Sequence, residues 1–345
     1  MTSKKNTELK EQGYVFYSLT KRHLLVFFKN IPTVIFTLMV PLAVFVVYIL
    51  FLRQIETNAI KQTLEQLISN SNSTLVVGSK EYANVLKKVY GIADCWMVSG
   101  ILAVSCITVS MNSNYIVVRD KELGMNRDFV SSPISSHILV ASYFTFNVIV
   151  TFLVNLIVYL LCLMVLGIYG AYMISFVDFL AILGVLLLST ISASLITFFV
   201  CSFIRSESVM SPVVAIVSAA VGFLIGAYLP SGILSSSTID TITGFFPGTY
   251  SVGLLRNYFL STPLAQLSKT LEGFGLNGML DELKSQFSLN IKFFGVEVQP
   301  FAMVLVLFGS IVVFGVLNLI FNNNKKFTLI NFKKNTKDKK GASKE

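Results

Sequence analysis

Long apolar stretches divided by polar segments set the pattern of this chain. Residues 33–52, 95–118, 138–166, 179–204, 209–229 and 301–321 carry no charged side chain, and the shortest of these stretches holds 20 residues. At 1.5 Å per residue, 20 residues make about 30 Å of helix, the thickness of a bilayer's hydrocarbon core. The pattern predicts an all-α polytopic membrane protein, one transmembrane domain over 1–345 with six spans. Pro41 falls in the middle of the first span, where it removes a backbone donor and favours a kink. Residues 14–29 read differently. Ser18, Lys21, Arg22 and Lys29 share one helical face and aromatic or aliphatic residues cover the other. That spacing predicts an interfacial amphipathic helix lying in the headgroup plane.

Two long polar loops, 53–92 and 230–299, fall on one side of the membrane in this scheme. Within the first, residues 55–68 come close to helical spacing and predict a surface helix. The short loop 119–136 and the tail 322–345 fall on the other side. The loop is notable for its charge: Arg119, Asp120, Lys121, Glu122, Arg127 and Asp128 sit between two uncharged stretches. A charged turn held between two spans is a natural handle for a soluble partner.

Composition agrees with a membrane setting. Hydrophobic residues make up 54% of the chain, charged residues 13%, and the mean hydropathy is +0.72, whereas soluble domains are about a quarter charged. The net charge of +9 would suggest nucleic acid in a soluble protein, but its distribution follows membrane orientation instead. Of the 27 Lys and Arg residues, 18 fall on the side of the termini and the 119–128 loop. The positive-inside rule then places both termini and that loop in the cytoplasm. The basic tail is expected to lie near anionic lipid. Cys95, Cys106, Cys162 and Cys201 all sit in or beside apolar stretches, so no disulfide framework is expected.

Several chemistries are missing from the sequence. No G-x-x-x-x-G-K-[ST] run exists, so the chain has no P-loop with which to bind ATP. His23 and His137, the two histidines, have no Cys or carboxylate at ligand spacing, and no metal site is expected. No carboxylate lies in the middle of a span; Asp94 and Asp178 lie at outer ends, which argues against ion-coupled transport. Energy would therefore come from a partner, or the chain is a passive pore or scaffold. Polar and small residues in the spans have two readings. Asn112, Asn147 and Asn155 either line a path or pair across neighbouring helices, and pairing is favoured. Ser218, Gly222 and Gly226 form a small-residue stripe, suited first to close helix packing.

In its order of features the chain resembles the permease subunits of ABC-2 exporters. An interfacial helix precedes the first span. The loop between spans two and three carries Glu122-Leu-Gly124 and then Ser132-Pro133-Ile134. After the fifth span comes Phe245-Phe246-Pro247-Gly-Thr-Tyr250 with Arg256 nearby, in the place of a re-entrant region. The resemblance implies that residues 119–132 couple to a separate cytoplasmic ATPase, with Arg119, Glu122, Gly124, Arg127, Ser132 and Pro133 as the docking residues. It implies that ATP and magnesium are bound by that partner and not by this chain. It implies a second permease copy and a bacterial plasma membrane, and it makes Phe245 and Phe246 candidates for an outer gate. The apolar spans suit a hydrophobic or amphipathic cargo such as a drug, an antimicrobial peptide, a lipid or a lipid-linked glycan. The two external loops are longer than compact members of the class carry. From the residues alone, a non-transporting membrane sensor that binds ligand through those loops stays open as the alternative.

Overall fold

The computed structural model describes residues 2–70, 75–125, 135–169, 174–228, 237–274 and 291–323. Helix α1 (Thr2–Lys29) ends where Asn30 leaves the helical region and Pro32 opens the next helix. The first span then runs as one rod. It comprises α2 (Ile31–Val47), a π-helical turn over Tyr48–Leu52, and α3 (Arg53–Asn70). A π turn closes i→i+5 bonds, and Arg53 N–H donates to Tyr48 C=O. Residues five apart thereby share a face, which turns Tyr48 and Arg53 together toward the second span.

Helix α4 (Lys80–Ser113) opens on Ser79, whose hydroxyl accepts from Tyr82 N–H at 3.0 Å. Asn114 separates it from α5 (Tyr115–Glu122), and the chain continues with α6 (Ser136–Ile168) and α7 (Phe176–Ser202). Helix α8 (Glu207–Leu224) is followed by α9 (Ser237–Gly244) and α10 (Pro247–Glu272). A two-stranded hairpin, β1 (Lys292–Phe293) with β2 (Val296–Glu297), precedes α11 (Pro300–Asn323). Phe294 and Gly295 form its turn with φ of +49° and +79°, the pair of positive values a tight hairpin needs.

Among the described residues, six helical stretches are long and apolar enough to cross a membrane. The stretch containing α4 is the axis of the bundle: its apolar window is 94% buried, against 17% for α8 and for α11. Helices α2, α6, α7, α8 and α10 surround it. Several polar side chains on α4, α6 and α7 face inward and bond across helices, Ser110 with Asn147 and Thr197 and Asn114 with Thr197, the usual way of joining helices where lipid supplies no hydrophobic drive.

The segment 53–92, which reads as a polar loop with one surface helix, is mostly helix. Helix α3 and the first turns of α4 enclose Ile60, Leu64, Tyr82, Val85 and Val89, and the Tyr82 hydroxyl donates to Glu65 at 2.8 Å. The end of α10 joins them, burying Leu267 and Leu271 and accepting Lys88 Nζ on Thr270 Oγ1 at 2.7 Å. Sparse apolar residues at helical spacing suffice here because each helix hides one narrow face.

Candidate functional site

The charged segment after the second span is a hub. Asp120 is buried on the inner face of α5 and accepts from Arg22 at 2.9 Å and from the Tyr143 hydroxyl at 2.6 Å. Arg22 also donates to His23 Nδ1 at 3.2 Å, which leaves the other ring nitrogen to carry the proton toward Ser142 Oγ at 3.4 Å. The imidazole is stacked on Tyr143 with 4.1 Å between centroids. Burial first, then the neighbouring Arg22 charge, push His23 down to about 4, with Asp120 opposing. His23 is therefore neutral, as its acceptance from Arg22 requires.

The remaining side chains of α5 reach the other way. Lys121 Nζ donates to the carbonyls of Cys201 and Ser202 at 3.0 and 3.2 Å, closing the C-terminus of α7. Glu122 accepts from Glu207 N–H at 2.7 Å, placing a carboxylate at the N-terminus of α8. Arg119 lies 3.7 Å from Glu207, which also accepts from the Tyr115 hydroxyl at 3.0 Å. Residues 115–122 thus hold α1, α6, α7 and α8 at once. Beyond them Leu123 is 63% exposed and Gly124 takes φ +75° with open space around it. Arg127, Ser132 and Pro133 lie outside the described residues. Of the expected docking residues, Arg119 and Glu122 are engaged within the subunit, and Leu123, which sequence reasoning passed over, is exposed just after α5.

A second cluster ties the end of α8 to α4 and α10. Pro247 opens α10, and the Tyr250 hydroxyl donates to Gly244 C=O at 2.8 Å. A Cβ on Gly248 would come within 3.0 Å of Ile107, halfway along the second span, so the start of α10 reaches deep into the bundle. Arg256 is buried; it donates to the carbonyls of Gly226 and Ala227 at 2.9 and 3.1 Å and lies 4.5 Å over the Trp96 ring. Gly100 presses on the same place, since a Cβ there would meet Ala227 O at 2.6 Å. Helix α8 ends at Leu224, so Gly226 is not on it; it takes φ +66° in the turn that follows. Gly222 makes room for the Tyr228 ring, and Ser218 Oγ is buried without a partner among the described residues. Gly222 and Gly226 thus lie at the chain reversal that follows α8. Phe245 is 68% exposed and stands edge-on to Phe293, while Phe246 is partly exposed.

The asparagines are hydrogen-bonded within the subunit. Asn147 accepts from Ser110 at 2.7 Å and donates back to the Ser110 carbonyl at 2.9 Å. Asn155 accepts from Ser105, and both asparagines are fully buried. Asn112 donates to Thr108 C=O at 2.9 Å on its own helix. Among the described residues, no three His, Cys, Asp or Glu side chains converge as metal ligands.

Six apolar spans among the described residues, one of them the buried axis of the bundle, with a charged hub at one end, define a multi-pass membrane protein. The family model described as ABC-2 family transporter protein matches residues 46–320, and the chain belongs to that family. It is a membrane transport permease of a kind that works with a partner ATPase subunit. No curated protein matches the chain.

Proposed function

We propose that the chain is the permease of an exporter in a bacterial plasma membrane, with both termini cytoplasmic and a separate ATPase seated over Leu123–Gly124 and the residues that follow. The observation that carries the reading is the hub: one short helix whose side chains hold α1, α6, α7 and α8. A force applied at its exposed tip reaches the interfacial helix and three spans together. ATP and magnesium belong to the partner, and two permease copies complete the pathway. Polar side chains of the inner spans are consumed in pairing, and the outward surfaces of α2 and α8 present Ile35, Phe36, Met39, Ile216 and Phe223. Such surfaces favour a hydrophobic or amphipathic cargo.

The test is affinity recovery of the full chain from its native membrane, followed by cargo-stimulated ATP hydrolysis in the purified complex. An ATPase that accompanies the wild type and is depleted with Leu123→Arg supports both the reading and the docking tip. Equal recovery from both places the docking elsewhere. A folded wild type that brings no ATPase overturns the exporter reading and favours the sensor alternative.

A further inference from the structure

We infer that the membrane face opposite the termini carries a site for an anionic phosphate headgroup, at the junction of α3, α4 and the end of α6. A cavity of about 170 Å³ opens there, lined by Arg53, Leu86, Lys87, Tyr90, Asp94 and Tyr169 among others. Its volume is below that of a drug-sized pocket, about 300 Å³ and upward, and suits one small polar group.

The chemistry of the lining selects the charge. Asp94 is its one carboxylate, and that carboxylate is already spent: Arg53 donates to both oxygens at 2.8 and 3.0 Å, and the Tyr48 hydroxyl adds a third bond at 2.9 Å. Glu56 and Glu65 do not line the cavity. Three donors remain. Arg53 uses Nε and Nη2 on Asp94, leaving Nη1 without a partner among the described residues. Its guanidinium is braced 4.1 Å over the Tyr169 ring, which fixes its plane without using a proton. The Tyr90 hydroxyl and the Lys87 ammonium likewise have no hydrogen-bond partner among the described residues. Two cations with one neutralised carboxylate give the cavity a net positive charge and an excess of donors, the complement of a phosphate oxygen cluster.

Its position selects the source. Arg53 follows directly on the apolar run 33–52, and Tyr169 directly follows α6. The cavity therefore lies at headgroup level, bordered by aromatic rings and basic side chains, the residues that anchor proteins at that depth. A phospholipid presents its phosphate there with its tails alongside α2 and α6. The π turn at Tyr48–Leu52 is what brings Tyr48 and Arg53 onto one face and so builds the site.

The experiment uses the full chain purified in zwitterionic detergent, reading retained lipid by native mass spectrometry and thermal stability on adding phosphatidylglycerol, phosphatidylcholine or inorganic phosphate. Phosphatidylglycerol is expected to be retained and to raise the melting temperature more than phosphatidylcholine does. Exposed Lys87 is substituted because it holds no internal contact: Lys87→Glu is expected to lower phosphatidylglycerol retention about five-fold, and Lys87→Arg to keep it. Tyr90→Phe tests the hydroxyl in the same way. Phosphatidylglycerol retention unchanged in Lys87→Glu and Tyr90→Phe overturns the site. Stabilisation by inorganic phosphate that matches phosphatidylglycerol overturns the lipid as its occupant.

Discussion

Asp120 shows how a single residue joins distant parts of the chain. Its carboxylate is buried, it stands 98 residues from Arg22, and it also accepts a hydrogen bond from the Tyr143 hydroxyl. Replacing it with Ala would leave the Tyr143 phenol without its acceptor and Arg22 without its carboxylate partner at a low-dielectric interface. The expected cost is about 2–4 kcal/mol, with Tyr143→Phe costing about 1 kcal/mol. Thermal unfolding of the purified variants checks both, and a larger loss for Tyr143→Phe would contradict the assignment of Asp120 as the centre. His23 gives the same cluster a pH dependence. Its folded value, about 4, is below the ordinary 6.5, so the fold prefers the neutral ring. That preference is fully present above pH 6.5 and is lost as pH falls toward 4, by about 3 kcal/mol at full protonation. His23→Gln keeps an acceptor and removes the titration. Melting temperatures between pH 7.5 and 4.5 should therefore fall less steeply in the variant than in the wild type.

At the scale of elements, the end of α8 is held by a knot of close approaches, and at Gly100 the neighbour is backbone, not a side chain. A side chain there must displace the Ala227 carbonyl, one of the two that Arg256 grips. Gly100→Val is expected to destabilise by about 1–3 kcal/mol. Gly184, whose Cβ would meet nothing within 4 Å, should tolerate the same change. The fraction remaining monodisperse after heating distinguishes them. The spans were legible in the sequence because 20 uncharged residues in a row have no good place in water. The elements outside them were less so. Helices α3 and α4 hide narrow apolar faces against each other, which leaves a polar composition that reads as loop. The stripe Ser218, Gly222, Gly226 is the same string whether glycine serves helix contact or a left-handed turn, and only the backbone at Gly226 decides. The hub was half legible: its charge pointed to 119–122, but Glu122 binds a backbone N–H of α8, and no pattern in a sequence marks such a partner.

At the scale of the whole molecule, the buried axis of α4 and the exposed faces of α2 and α8 describe a subunit whose outermost spans have few internal partners. Lipid covers such faces in a monomer; a second copy covers part of them in the proposed transporter. The four native cysteines offer a clean test because all are free and buried. A single cysteine placed at an exposed position becomes the one accessible thiol among the described residues. Ile216 on α8 is 67% exposed, and two helices meeting across a two-fold axis bring the same residue of each copy together. With Ile216→Cys in native membranes, mild oxidation should yield a disulfide-linked pair, since α-carbons within about 7 Å can be bridged. Leu153→Cys on α6, also exposed, samples another face of the subunit and should remain single under the same oxidation. Pairing at both positions would indicate random collision. Pairing at 153 alone would move the interface to α6, and the cargo pathway with it. Pairing at 216 alone would put α8 at the seam, so that movement of Glu207, held by Tyr115, Arg119 and Glu122 in the hub, is transmitted along α8 to the line between the two copies.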